Sequence, residues 1–386
     1  MTRARSWIRL ALGIALAAGA AGAGCGGEAP DRPPGPGKPR PFRLALNPFP
    51  AAPSVASFIA AVDYAVASAD VVLHQHDGGV PWRELLAGQE LPASVTGDIA
   101  YRAARSRQAG RRIFVAATPL NMARDGLAPQ LGTQSLPAEL AGATLADPRV
   151  RAAFAAWCLA LADGYEPDLF AVVIEANMYA RSHPEGWLDL VGLYREVAAA
   201  VKEGHPDLPV FVTLQLEYLR GDLPAPGHAP QWPLLADLAP DLDRVAFSTY
   251  PSVAGRTAGV LTAAYFADAV TAARAYTQAP VLISETGYPS ETVTVAGVTF
   301  PGSLADQRQY AAILLAAAES LELEMVTWIF PFDFPEMYEA IAARLPPGQA
   351  EALRIFVPMG LNEESRAAKP AAAVWLEAAR RPVSNP

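Results

Sequence analysis

The chain has 386 residues, of which 52% are hydrophobic and 18% are charged. Such a composition is typical of a globular protein with a large core, so a disordered chain is excluded. The net charge of -9 argues against nucleic acid as a partner and against a membrane surface held by charge alone.

Residues 1–24 have the order of an export signal. The basic start "MTRARSWIR" precedes the apolar run "LALGIALAAGAAGAG", and that order is typical of signal peptides. The run is too short and too rich in Ala and Gly to predict a membrane span. It ends at "AGAGCGG", so we expect Cys25 to be lipidated and to hold the exported protein at the cell envelope, although Gly22 stands where lipoprotein signals usually carry Leu. Cleavage near the same small residues, with Cys25 left free, is the alternative.

A Pro/Gly-rich tether at 25–41 separates the signal from one large domain at 42–386. The tether sequence "EAPDRPPGPGKPRP" is not expected to pack into a core. Its "GPGK" is followed by Pro instead of the Ser or Thr of a phosphate-binding loop. The second cysteine, Cys158, lies in the apolar stretch "AAFAAWCLALA", where a buried thiol is the simplest interpretation. A domain of this size can be stable through its core without a disulfide.

Short apolar runs alternate with Ala-rich amphipathic segments along the whole domain. Eight repeats of this strand–helix order predict a (β/α)8 barrel. An open doubly wound sheet is the alternative, but it usually has a Gly-rich turn after the first strand, where this chain has "NPFPAAPS". The eight predicted strands are 42–47, 69–75, 111–117, 169–175, 208–215, 243–249, 279–285 and 324–330.

Polar and aromatic residues stand where the predicted strands end. Because the active sites of (β/α)8 barrels lie at the carboxyl ends of the strands, these residues are expected to meet on one rim. A purely structural barrel does not need them there. They are Asn47, His74, Gln75, His76, Asp77, Thr118, Asn121, Glu175, Asn177, Gln215, Glu217, Tyr250, Glu285, Trp328 and Asp333.

Two glutamates, Glu175 and Glu285, end the fourth and seventh predicted strands. In a closed barrel of eight strands, these two ends face each other across the mouth. Two carboxyl groups so placed can cleave a glycosidic bond, since one protonates the leaving oxygen and the other attacks the anomeric carbon. A retaining enzyme needs them about 5–5.5 Å apart, and we expect Glu175 to be protonated and Glu285 to be charged. The alternative for Glu285 is a cap of the following segment.

Three short motifs extend this pattern. "ETGYPS" resembles the nucleophile segment of endo-β-1,4-galactanases and β-1,3-glucanases, the latter usually with Trp at the position of Tyr288. "FSTYPS" resembles the strand-six segment whose Tyr bonds the nucleophile, and "MVTWIF" resembles the strand-eight segment whose Trp floors the sugar subsite. The chain is therefore similar to the retaining (β/α)8 glycoside hydrolases. The resemblance implies Glu175 as acid/base, Glu285 as nucleophile, Tyr250 as the nucleophile's partner and Trp328 as the subsite floor.

One position departs from the family pattern. These hydrolases usually read Gly-Asn-Glu at strand four, where the Asn holds the sugar 2-hydroxyl. This chain reads "VVIEAN", with Ile174 at the Asn position. Either Asn177 substitutes for it, or the contact is lost. Hydrogen bonds to the 2-hydroxyl contribute several kcal/mol in the transition state, so Ile174 favours the alternative of a non-catalytic, carbohydrate-binding barrel.

His74 and His76 lie two residues apart at a strand end, and therefore on one face. A metal-dependent hydrolase is a further alternative, but no third ligand is suitably spaced, so neither a metal nor a cofactor is predicted. His76 and Asp77 could instead fix the Gly-Gly turn that follows them. The residues expected to line the cleft and bind the sugar are Trp328, His74, Asn177, Trp82, Gln215 and Asp77.

The sequence thus predicts an exported, lipid-anchored, retaining glycoside hydrolase that acts on a polysaccharide or oligosaccharide. We expect a monomer whose partners are the carbohydrate substrate and, through lipid on Cys25, a membrane.

Overall fold

The computed structural model of the protein describes residues 37–223, 229–345 and 347–384. The predicted signal, Cys25 and most of the predicted tether lie outside the described residues. Within them, no helix has both the length and the apolar character that a membrane span requires.

Eight parallel strands form a closed barrel, and each pairs with two neighbours. This confirms the predicted (β/α)8 fold, and each strand overlaps its predicted run. The barrel strands are β1 Arg43–Leu46, β2 Val71–His76, β3 Arg112–Ala117, β4 Leu169–Val173, β5 Val210–Gln215, β6 Val245–Thr249, β7 Val281–Thr286 and β10 Met325–Trp328. Their spatial order is β1-β10-β7-β6-β5-β4-β3-β2.

Helices connect the strands and surround the barrel. The α-helices are α1 Val55–Ser68, α2 Trp82–Leu86, α3 Ala93–Gln108, α4 Pro148–Tyr165, α5 Ala176–Ser182, α6 Trp187–Gly204, α7 Leu216–Arg220, α8 Leu234–Leu238, α9 Ala263–Arg274, α10 Leu304–Ser320, α11 Pro335–Ala342, α12 Pro347–Leu353 and α13 Pro370–Arg380. Short 3-10 helices are Ala138–Leu140, Pro184–Gly186, Ala239–Asp241, Pro251–Ala254, Ala258–Val260 and Arg354–Met359.

Local sequence signals fix where three of the long helices begin. Ser54 accepts a hydrogen bond from the N–H of Ser57 at the start of α1, and Ser303 accepts one from the N–H of Asp306 at the start of α10. Asp147 caps α4, and Pro148 stands at its first position. Small polar caps and a first-turn proline satisfy or remove N–H groups that have no partner inside the helix.

The strands are apolar because both of their faces are covered, one by the barrel interior and one by the helices. All five residues of β4, "LFAVV", are buried. Since all eight strands run in one direction, their carboxyl ends share one face of the barrel, which we call the mouth. Asn47, Asp77, Glu175, Tyr250 and Glu285 all lie at this face.

Both ends of the described chain meet on the opposite face of the barrel. The buried Arg40 precedes β1 and donates from Nη2 to Asp70 Oδ1 (2.7 Å), just before β2. Its backbone N–H donates to the carbonyl of Pro382 (2.9 Å), and the N–H of Ser384 donates to the carbonyl of Arg40 (2.9 Å). The N-terminal segment is therefore fixed to the C-terminal segment on the face away from the mouth.

A two-stranded hairpin follows β7 and was not predicted from the sequence. Its strands are β8 Val293–Val295 and β9 Val298–Phe300, paired antiparallel. The turn residues Ala296 and Gly297 both have positive φ, at 49° and 79°. Two such residues in a row are typical of the tight turns that match the twist of a hairpin.

Candidate active site

Glu175 lies two residues beyond β4, in a backbone conformation that directs its side chain into the mouth. Its φ of 54° and ψ of 45° are in the left-handed region, which is costly for a residue with a side chain and is often found at functional sites. Its N–H donates to Thr213 Oγ1 (2.8 Å). This bond fixes the end of β4 to β5 and holds the strained residue in place.

The Glu175 carboxyl group is fully buried and has two polar neighbours. Ser248 Oγ, on β6, donates to Oε1 (2.7 Å), and Arg124 Nε lies 3.5 Å from Oε2. Burial raises the pKa of Glu175 to about 7, although Arg124 and the Ser248 hydrogen bond both lower it. A carboxyl group with this pKa carries a proton for much of the time at neutral pH.

Glu285 lies on β7 with one donor on each carboxylate oxygen. Gln75 Nε2 donates to Oε1 (2.7 Å), and the Tyr250 hydroxyl donates to Oε2 (3.2 Å). Gln75 Oε1 in turn accepts from Asn47 Nδ2 (3.1 Å). The side chain of Glu285 is therefore held directly by Gln75 on β2 and by Tyr250 just after β6, and Asn47, just after β1, holds Gln75.

Burial raises the pKa of Glu285 well above its ordinary value, and the neighbouring carboxyl groups of Glu175 and Asp77 raise it further. Arg124 and the Tyr250 hydrogen bond act in the opposite direction. Burial and the neighbouring carboxyl groups therefore oppose the expected charge on Glu285. A charge on Glu175 disfavours a charge on Glu285, so the two carboxyl groups titrate as an interacting pair.

A buried ion pair lies next to the two glutamates. Nη1 and Nη2 of Arg124 donate to Oδ1 and Oδ2 of Asp77, both at 2.7 Å, and neither side chain is exposed to solvent. Arg124 lies in a turn at 120–127, closed by a bridge between Leu120 and Leu127, and has a φ of 56°. We call this turn the Arg124 turn.

Solvent does not reach the pair in this structure. Glu175 and Tyr250 are 0% exposed and Glu285 is 1% exposed. A cavity of about 330 Å³ opens at the same face; Asp77 forms part of its wall together with the Arg124 turn and α11. Arg124 contacts both Asp77, in the wall of this cavity, and Glu175, so the ion pair connects the cavity wall to the glutamates.

Comparisons with known proteins support this picture at the level of the fold. No protein-family model matches the sequence, and no curated protein matches it significantly. Among solved structures, GH5_18 from Streptomyces cattleya in complex with GlcNAc has a TM-score of 0.66 at 18% identity, over 90% of this chain and 83% of that one. An exo-beta-1,4-mannosidase from Opitutaceae bacterium strain TAV5 has a TM-score of 0.60 at 16% identity, over 88% of this chain and 59% of that one. The Ignisphaera aggregans GH53 catalytic domain has a TM-score of 0.54 at 16% identity, over 89% and 97%.

The chain has the fold of these glycoside hydrolases.

Asn177 and Gln215 connect two elements of this barrel and do not point at the glutamates. Asn177 Nδ2 donates to the carbonyl of Gln215 and to Gln231 Oε1 (3.0 Å each), and Asn177 Oδ1 accepts from the N–H of Gln215 (2.7 Å). Gln215 caps α7 through Tyr218 and donates to Glu217 Oε2 (2.5 Å). Both amide hydrogens of Asn177 are thus used, and it does not stand in for the Asn that Ile174 replaces.

Glu217 forms a second buried cluster of hydrogen bonds. Its carboxylate accepts from Thr249 Oγ1 (2.6 Å), the Tyr265 hydroxyl (2.5 Å) and the N–H of Tyr250 (3.1 Å). It therefore holds the backbone from which Tyr250 reaches Glu285.

His74 and His76 lie on the helix side of β2, not in the mouth. His74 Nε2 is 3.0 Å from Ser106 Oγ on α3, and its ring stacks on Tyr165 of α4 at 5.0 Å. His76 Nε2 is 3.1 Å from the Tyr165 hydroxyl. Successive side chains of a strand point to opposite faces. Because Gln75 and Asp77 occupy the inward positions, His74 and His76 point toward the helices. No group of three metal-ligating side chains occurs within the described ranges.

Trp82 and Trp328 are also enclosed away from the glutamates. Trp82 Nε1 donates to the carbonyl of Ala128 (2.8 Å). Trp328 Nε1 donates to the carbonyl of Met359 (2.9 Å), and its ring packs against Tyr310 of α10 and Trp375 of α13. Trp328 pairs in register with outward-facing Thr286, so it faces the helices. The expected subsite floor is therefore not formed by this ring.

The residues that contact the pair were only partly found from the sequence. Gln75 and Asn47 were recognised as strand-end residues but not as site residues, and Ser248 stands inside the motif that pointed to Tyr250. Arg124 carries no motif signal, because it reaches the mouth from a long irregular connection. A search for inward positions on each strand, two residues apart, would have found Gln75 together with Asp77.

Proposed function

We propose that this protein is a retaining glycoside hydrolase. The observation that carries the proposal is the placement of Glu175 after β4 and Glu285 on β7 in one buried network that also contains Tyr250, Gln75 and Arg124. Two carboxyl groups that disfavour each other's charge at the mouth of a barrel suit a reaction that needs one acid and one nucleophile.

In the proposed reaction, Glu285 attacks the anomeric carbon while Glu175 gives its proton to the leaving oxygen. The bond between the anomeric carbon and that oxygen breaks, and a covalent glycosyl-enzyme forms. Glu175, now ionised, takes a proton from water, and the water oxygen displaces Glu285. A pKa of about 7 for Glu175 suits a group that acts first as acid and then as base.

The mouth must open before a sugar can reach the pair, because neither glutamate is exposed. Access of water would also favour the charged form of Glu285, since burial is the main cause of its raised pKa. The Arg124 turn lines the 330 Å³ cavity and contacts Glu175, so we propose that it is the segment that moves.

For the substrate, we propose a β-linked oligosaccharide or polysaccharide. Structural neighbours include GH5_18 from Streptomyces cattleya in complex with Manb1-4GlcNAc, an exo-beta-1,4-mannosidase and an endo-beta-1,4-xylanase. The "ETGYPS" motif adds galactan and β-1,3-glucan to the candidates. We further propose that the protein acts as a monomer at the cell envelope, exported by residues 1–24 and anchored by lipid on Cys25.

A non-catalytic carbohydrate-binding barrel is the second candidate function. Two observations favour it: Ile174 replaces the Asn that would hold the 2-hydroxyl, and neither glutamate is exposed to solvent. In this alternative the sugar would bind in the outer cavity and would not contact Glu285.

The test is a panel of β-glycosides and β-glycans offered to the wild type, Glu285→Gln, Glu175→Ala and the control Glu377→Gln, which changes an exposed glutamate on α13. We expect cleavage with retention of the anomeric configuration. Glu285→Gln should abolish it, whereas Glu175→Ala should retain activity on aryl glycosides whose leaving group needs no proton. Binding of a glycan without cleavage, unchanged in Glu285→Gln, would support the second candidate instead. Inversion of configuration would show that the carboxyl groups act at about 6.5–9.5 Å.

A further inference from the structure

Gln75 makes the shortest hydrogen bond to Glu285 in this structure, at 2.7 Å from Nε2 to Oε1. The bond from Tyr250 to Oε2 is longer, at 3.2 Å. The two oxygens of the Glu285 carboxylate are therefore held unequally. Oε1 is held more tightly, and its donor, Gln75, was not indicated by any sequence motif.

We propose that Gln75 is a positioning residue that holds Oε1 of Glu285 and leaves Oε2 to form the bond with the sugar. The inference rests on the proposed retaining mechanism, and it assigns the attacking atom within it. In the attack, Oε2 bonds to the anomeric carbon, the glycosidic oxygen leaves with the proton of Glu175, and Oε1 becomes the carbonyl oxygen of the ester while Gln75 still donates to it.

The orientation of the Gln75 amide is fixed by Asn47. Asn47 Nδ2 donates to Gln75 Oε1 (3.1 Å), so the Gln75 nitrogen must face Glu285. Asn47 is itself held on a rigid support, because its carbonyl accepts from the N–H of Phe49 (2.7 Å) and Phe49 packs on the rings of Phe330 and Phe334. A preorganised donor of this kind needs no rearrangement when the reaction occurs.

The charges around Glu285 explain why the neutral donor Gln75 should have a measurable effect on the pKa of Glu285. The groups that face it are the carboxyl groups of Glu175 and Asp77, the guanidinium of Arg124 and the Tyr250 hydroxyl. Both terminal nitrogens of Arg124 are bonded to Asp77, so the cation is largely balanced. A hydrogen bond to the charged form of a buried carboxyl group favours that form, and its loss should raise the pKa of Glu285.

The test is Gln75→Met, which keeps the length of the side chain and removes both the donor and the acceptor. The matched control is Gln130→Met. Gln130 is 6% exposed, against 8% for Gln75, and its Nε2 also donates to a glutamate, Glu84 (3.0 Å), away from the pair. Asn47→Ala is a third variant, which leaves the Gln75 donor present but no longer fixed.

Two independent measurements report the pKa of Glu285. The first is the pH dependence of kcat/KM, in which Gln75→Met should move the acid limb up by about one pH unit and Asn47→Ala by less, while Gln130→Met should leave it in place. The second is an NMR titration of the Glu285 carboxyl carbon in glutamate-labelled protein, which needs no turnover. The midpoint of this titration should rise most in Gln75→Met, less in Asn47→Ala and not at all in Gln130→Met.

The outcomes separate this inference from the proposed function. If the wild type cleaves no glycoside, the proposed function fails, but the titration still measures whether Gln75 acts on Glu285. If the wild type cleaves glycosides and Gln75→Met leaves both the acid limb and the midpoint unchanged, the inference is overturned and the mechanism is not. An equal shift in Gln130→Met would also overturn it, since the effect would then be structural.

Discussion

Replacing Glu175 with Gln should stabilise the protein above neutral pH, although it should destroy the proposed acid. The pKa of Glu175 is about 7 in the folded protein, against an ordinary value of 4.5, mainly because the side chain is buried. The folded protein therefore binds this proton more tightly than the unfolded chain does. Its contribution to stability is fully present below about pH 4.5 and is lost as the pH rises through about 7.

The rise from 4.5 to about 7 corresponds to about 3 kcal/mol of unfolding free energy between the two pH limits. Glu175→Gln keeps the shape and an acceptor for Ser248 but carries no charge at any pH. We expect it to be about 1–3 kcal/mol more stable than the wild type at pH 8, and close to the wild type at pH 5. The lower bound allows for the new amide beside Arg124 Nε, which is also a donor.

The assay is urea unfolding followed by circular dichroism at pH 5 and pH 8, for the wild type, Glu175→Gln and Glu377→Gln. Glu285 and Asp77 also have raised pKa values and are present in all three proteins. Because Glu175 raises the pKa of Glu285, the comparison measures the titration of Glu175 together with its effect on Glu285. The reasoning is refuted if Glu175→Gln and the wild type lose the same stability between the two pH values. It is also refuted if the variant is less stable at pH 8.

Three further predictions concern the same site and its attachment. Tyr250→Phe should lower turnover without unfolding the protein, because only the hydroxyl bond to Glu285 is lost; unchanged kcat would show a packing role alone. Arg124→Met should cost about 3–5 kcal/mol of unfolding free energy, since it leaves Asp77 buried without its partner, and adding Asp77→Asn should restore part of the loss in the same urea assay. Cys25→Ser should release the protein from membranes into the soluble fraction with an unchanged melting temperature; mass spectrometry that finds no lipid on Cys25 of the wild type would contradict the anchor.

The barrel could be predicted because its signal is repeated and local. Each strand is a short apolar run, and each helix is a longer Ala-rich segment, so eight alternations leave few other folds. The hairpin β8–β9 was missed because its two strands have only three residues each. Short strands outside the barrel carry too few residues for a period to be recognised.

The orientation of the rim side chains was harder to predict than their positions. A strand places successive residues on opposite faces, and the closing turn decides which face the last residue takes. His74 and Trp328 lie near strand ends, as expected, but each occupies an outward position of its strand, so its side chain points toward the helices. The partners of Glu285 from β2 and of Glu175 from the Arg124 turn depend on contacts far apart in the sequence, which no local pattern encodes.

The hydrogen bonds at Arg40 determine on which face of the barrel an N-terminal anchor would be attached. Any anchor that precedes residue 37 joins the molecule on the side where Arg40 meets Pro382 and Ser384, and the mouth opens on the other side. If Cys25 carries lipid as proposed, the anchored segment enters the barrel on the face opposite the mouth, so the anchor itself does not have to cross the mouth. The same geometry suits immobilisation in the laboratory, because a support coupled at either terminus leaves the entrance unobstructed.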